Sequence, residues 1–220
     1  MATILLIRHG ENDFTGKTLV GRMPGVHLND RGREQAKLIT SSLRDAPLKA
    51  IYSSPLERAV ETAQPLADAF GLPIRIRPAL AEVDFGDWQG ISARSMRRRK
   101  LFHLVLDHPS QACFPGGESF VQAQARVAAG LEEINRAHHP RDLVACFSHA
   151  DVIKLALAYY LGLPLDNFQR LALGTASISV LALGKKGDAA ILAVNQVFSP
   201  VFSRPKNKKA AESSAAPDAT

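Results

Sequence analysis

Cysteine is scarce in this chain: Cys113 and Cys146 are the only two in 220 residues. Two thiols so far apart neither frame a disulfide scaffold nor supply a metal ribbon. Cys146 lies in the run Leu143-Val144-Ala145-Cys146-Phe147 and is expected to be a small buried hydrophobe. The seven histidines show no H-x-x-x-H spacing, so neither a metal nor a cofactor is expected. Long apolar runs are also missing. Nothing approaches the ~18 residues of a membrane span, and Ile4–Ile7 stops too soon, at Arg8, for a secretory core. The expected location is the cytoplasm, with no membrane partner. Aromatic interleaving is lacking as well. The net charge of +6 comes partly from Arg97-Arg98-Arg99-Lys100 and partly from residues 203–220. Neither stretch has the alternating rings of a single-strand stacking platform, so no nucleic-acid partner is expected.

What is present is the balance of an ordinary folded protein, 46% hydrophobic and 22% charged. The length suits one domain over residues 1–200, with a small cap at about 91–117. Residues 203–220 are Ala, Ser, Lys and Pro without periodicity and are expected to be disordered. Either a monomer or a homodimer fits.

The informative stretch is Ile4-Leu5-Leu6-Ile7-Arg8-His9-Gly10-Glu11. Four consecutive apolar residues predict a strand buried on both faces, as at the centre of a parallel sheet. In such sheets ligands sit just beyond the carboxyl ends of the strands. There this strand presents a guanidinium that can fork onto an anion, and an imidazole that is a nucleophile near neutrality. The glycine permits a sharp turn and close backbone approach.

Asn12–Asn29 is too long for a mere connection and is expected to take part in binding. Asn29 or Asp30 then caps a predicted helix to about Arg44, with Ala36, Leu38, Ile39 and Leu43 on its apolar face. Leu48–Tyr52 predicts the next strand. After it, Ser54-Pro55-Leu56-Glu57 has the form of a capping box with proline at the first helical position. That puts Arg58 in a first turn, beside free N–H groups, which is an anion site. Leu72–Ile76 predicts an edge strand, since Pro73 lacks a donor. In the loop Pro78–Gly90, carboxylates lie beside Phe85 and the only tryptophan, surroundings that favour the protonated acid. Ser92–Asp107 predicts a basic helical excursion, and the positive charge of Arg94 to His108 suggests a substrate with another anionic group. Pro115-Gly116-Gly117-Glu118-Ser119 turns into a helix to about Ala137. Leu143–Phe147 is another buried strand that breaks into a histidine, at Ser148-His149-Ala150-Asp151, before a helix through Tyr160. Ser177–Leu183 and Ala189–Asn195 predict a closing pair of strands. The alternation predicts a three-layer α/β/α sandwich with a mostly parallel central sheet.

Arg8-His9, Arg58, Glu82 and His149 thus stand at four separate strand or loop ends. Phosphoryl transfer through histidine needs such a set: a nucleophile, cations on the equatorial oxygens, and an acid for the leaving alkoxide. Here the sequence resembles the histidine phosphatase superfamily, in its phosphoglycerate-mutase-like branch, from Ile4 to about Asn195. The resemblance rests on Leu6-Ile7-Arg8-His9-Gly10-Glu11, Tyr52-Ser53-Ser54-Pro55-Leu56-Glu57-Arg58-Ala59, the loop Glu82–Gly90, Phe114-Pro115-Gly116-Gly117-Glu118-Ser119 and Ser148-His149.

The resemblance implies that His9 becomes a phosphohistidine. Arg8, Arg58 and a protonated or hydrogen-bonding His149 would hold the phosphoryl oxygens, and Glu82 would donate and recover the proton. Ala150 replaces the usual glycine after the second histidine; its N–H still donates, while its methyl narrows the pocket. Thr15 takes a position often held by an amide and offers a hydroxyl. Asp84 is a second candidate acid. The implied activity is hydrolysis of a small phosphomonoester without metal or cofactor, because Gly90 to Gly116 leaves room only for a modest cap. A phosphoglycerate-type mutase is the alternative. A silent phosphate-ligand-binding protein would be expected to have lost some of these residues, and this chain keeps them all.

Overall fold

Ile4 and Leu6 belong to one hydrophobic cluster, Leu5 and Ile7 to another. Alternate side chains of one strand therefore feed two separate cores, as the pleat requires of a strand covered on both faces. The computed structural model describes residues 1–185 and 187–197; the stretch 203–220 lies outside them. In chain order the elements are β1 (Ala2–Arg8), β2 (Thr18–Leu19), α1 (Asp30–Ser42), β3 (Leu48–Ser53), α2 (Glu57–Phe70), β4 (Ile74–Ile76), β5 (Ile91–Ser92), α3 (Ala93–Met96), α4 (Lys100–Asp107), α5 (Phe120–Arg136), β6 (Leu143–Ser148), α6 (Ala150–Leu161), β7 (Ile178–Leu183) and β8 (Ala189–Gln196). Short 3₁₀ turns stand at Pro78–Leu80, Gly86–Trp88, Pro109–Gln111 and Leu165–Arg170.

The main sheet has six strands in the order β4-β3-β6-β1-β7-β8. β4, β3, β6 and β1 run parallel. β7 and β8 complete the sheet antiparallel. α1 and α2 cover the face of Leu5 and Ile7 through Ile39, Ala63 and Leu66. α5 and α6 cover the other face through Val127, Leu131, Leu155 and Leu157. The sandwich and its mostly parallel sheet are as the sequence predicts.

Register decides what the sheet presents. Ile7 pairs with Phe147 and Arg8 with Ser148, so β1 and β6 end level. Ser53 also pairs with Phe147, which brings the end of β3 alongside. His9, His149 and the segment leading to Arg58 thus leave the sheet at one edge.

Several local expectations need correction. α2 starts at Glu57, its N-cap Leu56 has no side-chain cap, and the predicted box at Ser54 does not form. Ser54 Oγ lies 2.7 Å from His149 Nε2 instead, and Glu57 accepts from Gly25 N. Leu38 is exposed, so the buried stripe of α1 is narrower than its apolar residues imply. β4 begins at Ile74 because Leu72 N still donates to Ala67 O at the end of α2. The basic excursion is two short helices, α3 and α4, with Arg97–Arg99 at the break. β5 pairs with β2, tying the start of this excursion to the loop after β1. Among the described residues no helix is long and apolar enough to cross a membrane.

Candidate active site

His9 is buried just past β1. Its Nδ1 lies 2.7 Å from the carbonyl of Gly10. A carbonyl only accepts, so Nδ1 carries the proton and Nε2 keeps its lone pair. Arg58 Nε donates a hydrogen bond to His9 Nε2 at 3.3 Å. Burial, then the charges of Arg58 and Arg8, push the His9 pKa well below its ordinary value. The imidazole is neutral and its unprotonated nitrogen is a nucleophile.

The loop carrying His9 is pinned from two sides. Gly10 N donates to Thr62 Oγ1 at 3.0 Å, and Thr62 donates to Arg58 O at 2.6 Å, so α2 sets both nucleophile and clamp. On the other side, a Cβ on Gly32 would stand 2.1 Å from Glu11 O. Only a glycine lets the first turn of α1 lie against this backbone.

Arg58 is completely buried, and its Nη2 donates to Gly21 O at 2.8 Å. Arg8 Nη1 donates to Leu173 O at 2.6 Å. His149 lies behind His9, ring centroids 5.2 Å apart. Burial first, then Arg58, His9 and Arg8, push its pKa well below the ordinary value. The protonated form offered by the sequence is thereby disfavoured, leaving the hydrogen-bonding one. Among the described residues, Arg8 Nε, Arg58 Nη1 and His149 Nδ1 are buried without a hydrogen-bond partner. Orphaned polar groups in such number are rare in folded proteins, and a bound anion can satisfy them.

Glu82 opens on the same cleft, which Arg8, His9, Thr15 and Arg58 also line. Burial, then the Asp151 carboxylate, raise the Glu82 pKa to about 7, against opposing pulls from Arg58, the Val83 N–H and Arg8. Asp84 points elsewhere. It accepts from Gly86 N at 3.0 Å and pairs with Arg22 at 3.5 Å. Thr15 forms part of the wall, its hydroxyl accepting from Asn12 N at 3.1 Å. Ala150 is the first residue of α6, with its N–H in the unpaired first turn, and is not among the residues that line the cleft. The cleft holds about 140 Å³, well below the ~300–1,000 Å³ of drug-sized pockets. It suits a phosphoryl group and little more.

Sequence reasoning missed three parts. Asp151 lines the cleft, and only its place two residues past His149 hinted at that. Glu118 is a hub. Its Oε1 accepts from Asp84 N at 2.9 Å, Arg22 Nη2 at 2.9 Å and Arg126 Nη2 at 2.6 Å. Arg22 Nε and Arg126 Nη2 in turn donate to Glu82 O, at 2.8 and 3.4 Å. The acid is thus held by its backbone from the glycine-rich loop and from α5. Nothing local in the sequence announces Arg22 or Arg126 in that role.

A family model described as histidine phosphatase superfamily, branch 1, matches residues 4–196. Phosphoserine phosphatase 1 of Hydrogenobacter thermophilus is 31% identical over 191 residues, 84% of this chain and 89% of that protein. Among solved structures, Bacillus stearothermophilus YhfR superposes with a TM-score of 0.83 at 25% identity, covering 90% of this chain and 98% of that one. A mycobacterial glucosyl-3-phosphoglycerate phosphatase in complex with VO3 gives 0.79 at 28% identity, covering 88% and 98%. On these matches the chain belongs to the histidine phosphatase superfamily, branch 1, and is a phosphatase with the phosphoglycerate-mutase-like fold.

Proposed function

We propose that this phosphatase hydrolyses monoesters of small phosphorylated metabolites through a phosphohistidine on His9. The observation that carries the reading is the unprotonated His9 Nε2, which accepts from Arg58 Nε, together with the three unpartnered polar atoms of Arg8, Arg58 and His149. Relatives named for phosphoserine and glucosyl-3-phosphoglycerate support a small substrate. Arg8 and Arg58 hold the phosphoryl oxygens. With Ser54 donating to its Nε2, neutral His149 donates from Nδ1. The Ala150 N–H and the Thr15 hydroxyl are the remaining donors of the set.

Nε2 attacks phosphorus and an N–P bond forms as the ester P–O bond breaks. The leaving oxygen takes the Glu82 proton. In the second half, the Glu82 carboxylate accepts a proton from the attacking water. The N–P bond then breaks, its electron pair returning to Nε2. A mutase would have to keep the phosphoryl group away from water. The cap here is only a four-residue and an eight-residue helix, which favours transfer to water.

Rapid-quench labelling of the purified protein, with no added metal, is expected to trap an acid-labile, base-stable phosphoenzyme. His9→Ala is expected to form none. A labelled His9→Ala protein would remove His9 from the chemistry.

A further inference from the structure

Beside the catalytic cleft, at Phe85, lies a second hollow of about 260 Å³. The two adjoin, with Leu19, Phe85 and Asp151 in the walls of both. Met96 from α3, with Phe102, Val105 and Leu106 from α4, forms the cap side of this annex. Phe114 stands below, its ring packed edge-on against Phe85 with centroids 4.9 Å apart. The polar lining is sparse: Arg97, Asp151 and Gln169. Asp151 and Gln169 are both engaged by Lys154 Nζ, at 3.2 and 3.1 Å. The rest of the basic run, Arg98 to Lys100, is exposed and does not line the annex.

Direction follows from the reaction. The leaving oxygen departs on the side of its proton donor, Glu82, which lines the cleft together with Asp151. Asp151 marks the junction with the annex, so whatever is esterified to the phosphate points into this apolar space. A carboxylate there would be desolvated among Met96, Phe102 and Val105, and the lining offers it one cation, the exposed Arg97, while Asp151 is already paired with Lys154. We propose that the annex binds the leaving group, and that this group is an uncharged, apolar one: a single aromatic ring or a short alkyl chain. The protein then prefers phosphates of apolar alcohols and phenols to those of carboxylate-bearing alcohols. This rests on the phosphomonoesterase reading and names its substrate class; the basic cap had implied a second anionic group.

The test is kcat/KM for ethyl, butyl and hexyl phosphate, with 3-phosphoglycerate and an activated aryl phosphate alongside. The alkyl series is expected to rise by ~4-fold per methylene until the annex is filled, the transfer value of one buried CH₂. 3-Phosphoglycerate is expected to fall below ethyl phosphate. Phe102→Ser and Met96→Glu, both at half-buried cap positions, are expected to flatten the series at least 5-fold between ethyl and hexyl phosphate. Either variant suffices should the other fail to fold. Hydrolysis with a flat wild-type series, or a slope retained in the variants, overturns the annex assignment alone. No hydrolysis of any ester, the activated one included, overturns the phosphatase reading and this proposal with it.

Discussion

Glu82 and Asp84 sit two positions apart in one loop, yet their surroundings give them opposite duties. Asp84 is spent on Arg22 and the Gly86 N–H. Glu82 faces the cleft with its pKa raised to about 7, chiefly by burial and then by Asp151. Below that pKa it carries the proton a leaving alkoxide needs; above it the proton is gone. Turnover of an alkyl phosphate is therefore expected to decline as pH rises through about 7, the value for Glu82. Neutral His9 adds no loss at its ordinary titration range. Glu82→Gln is expected to lower hydrolysis of alkyl phosphates by ~10²–10⁴-fold, the usual range for a lost general acid. An activated aryl phosphate, whose leaving group needs little protonation, is partly spared. Asp84→Asn is expected to leave the ratio of the two substrates near wild type. The reverse pattern in the two variants would exchange their roles. At this scale the sequence was most legible where side chains carry the chemistry. Arg8, His9, Arg58 and Glu82 all reach the site from the ends at which they were expected. The carbonyls of Gly21 and Leu173, which aim the two arginines, are backbone groups that no residue type announces.

Elements were legible in kind and less so at their ends, because a terminus depends on which partner claims a capping group. Asn29 caps α1 by accepting from Gly32 N, and Ser119 with Gln122 forms a full capping box on α5. The box expected at Ser54 fails although its residues are right, since His149 engages the hydroxyl across 95 positions of sequence. Gly32 has the same character. Propensity alone says that alanine in a helix interior would stabilise by ~0.8–1 kcal/mol. The close approach to Glu11 reverses the sign, for the added Cβ meets a backbone oxygen at 2.1 Å and neither backbone can yield cheaply. Gly32→Ala is expected to cost ~1–3 kcal/mol, the range for overpacking. That corresponds to a fall of roughly 2–12 °C in Tm for a chain of this size. A calorimetric Tm at or above wild type would show that the nucleophile loop does not depend on this contact. Turnover should fall as well, because Gly10 lies against the same turn: a Cβ there would meet Gly32 O at 2.7 Å.

For the molecule as a whole, gathering these groups in one dry edge of the sheet links stability to protons. His9 and His149 are held neutral, their pKa values well below 6.5. Their contribution is fully present above 6.5 and is lost as pH falls below it, where the unfolded chain takes up two protons that the native state does not. Glu82 acts in the opposite sense. Raised from 4.5 to about 7, it holds a proton in the native state that the unfolded chain has released. Between roughly pH 5 and 6 the unfolded state therefore binds two of these protons and the native state one. The difference of one proton makes stability rise with pH by about 1.4 kcal/mol per unit. The lowered carboxyls of Glu57, Asp142 and Asp166, and His27 raised by Glu61, titrate mainly outside this window. Urea unfolding in phosphate-free buffer at pH 5 and pH 6 measures the slope. His149→Gln removes one proton from the unfolded side, and the slope is expected to fall to near zero. Glu82→Gln removes the proton from the native side, and the slope is expected to steepen to about 2.7 kcal/mol per unit. Opposite changes from these two substitutions cannot come from a general loss of packing. A Glu82→Gln slope no steeper than wild type would mean that the carboxyl does not hold its proton in the folded state, and the acid of the proposed reaction would have to be sought elsewhere.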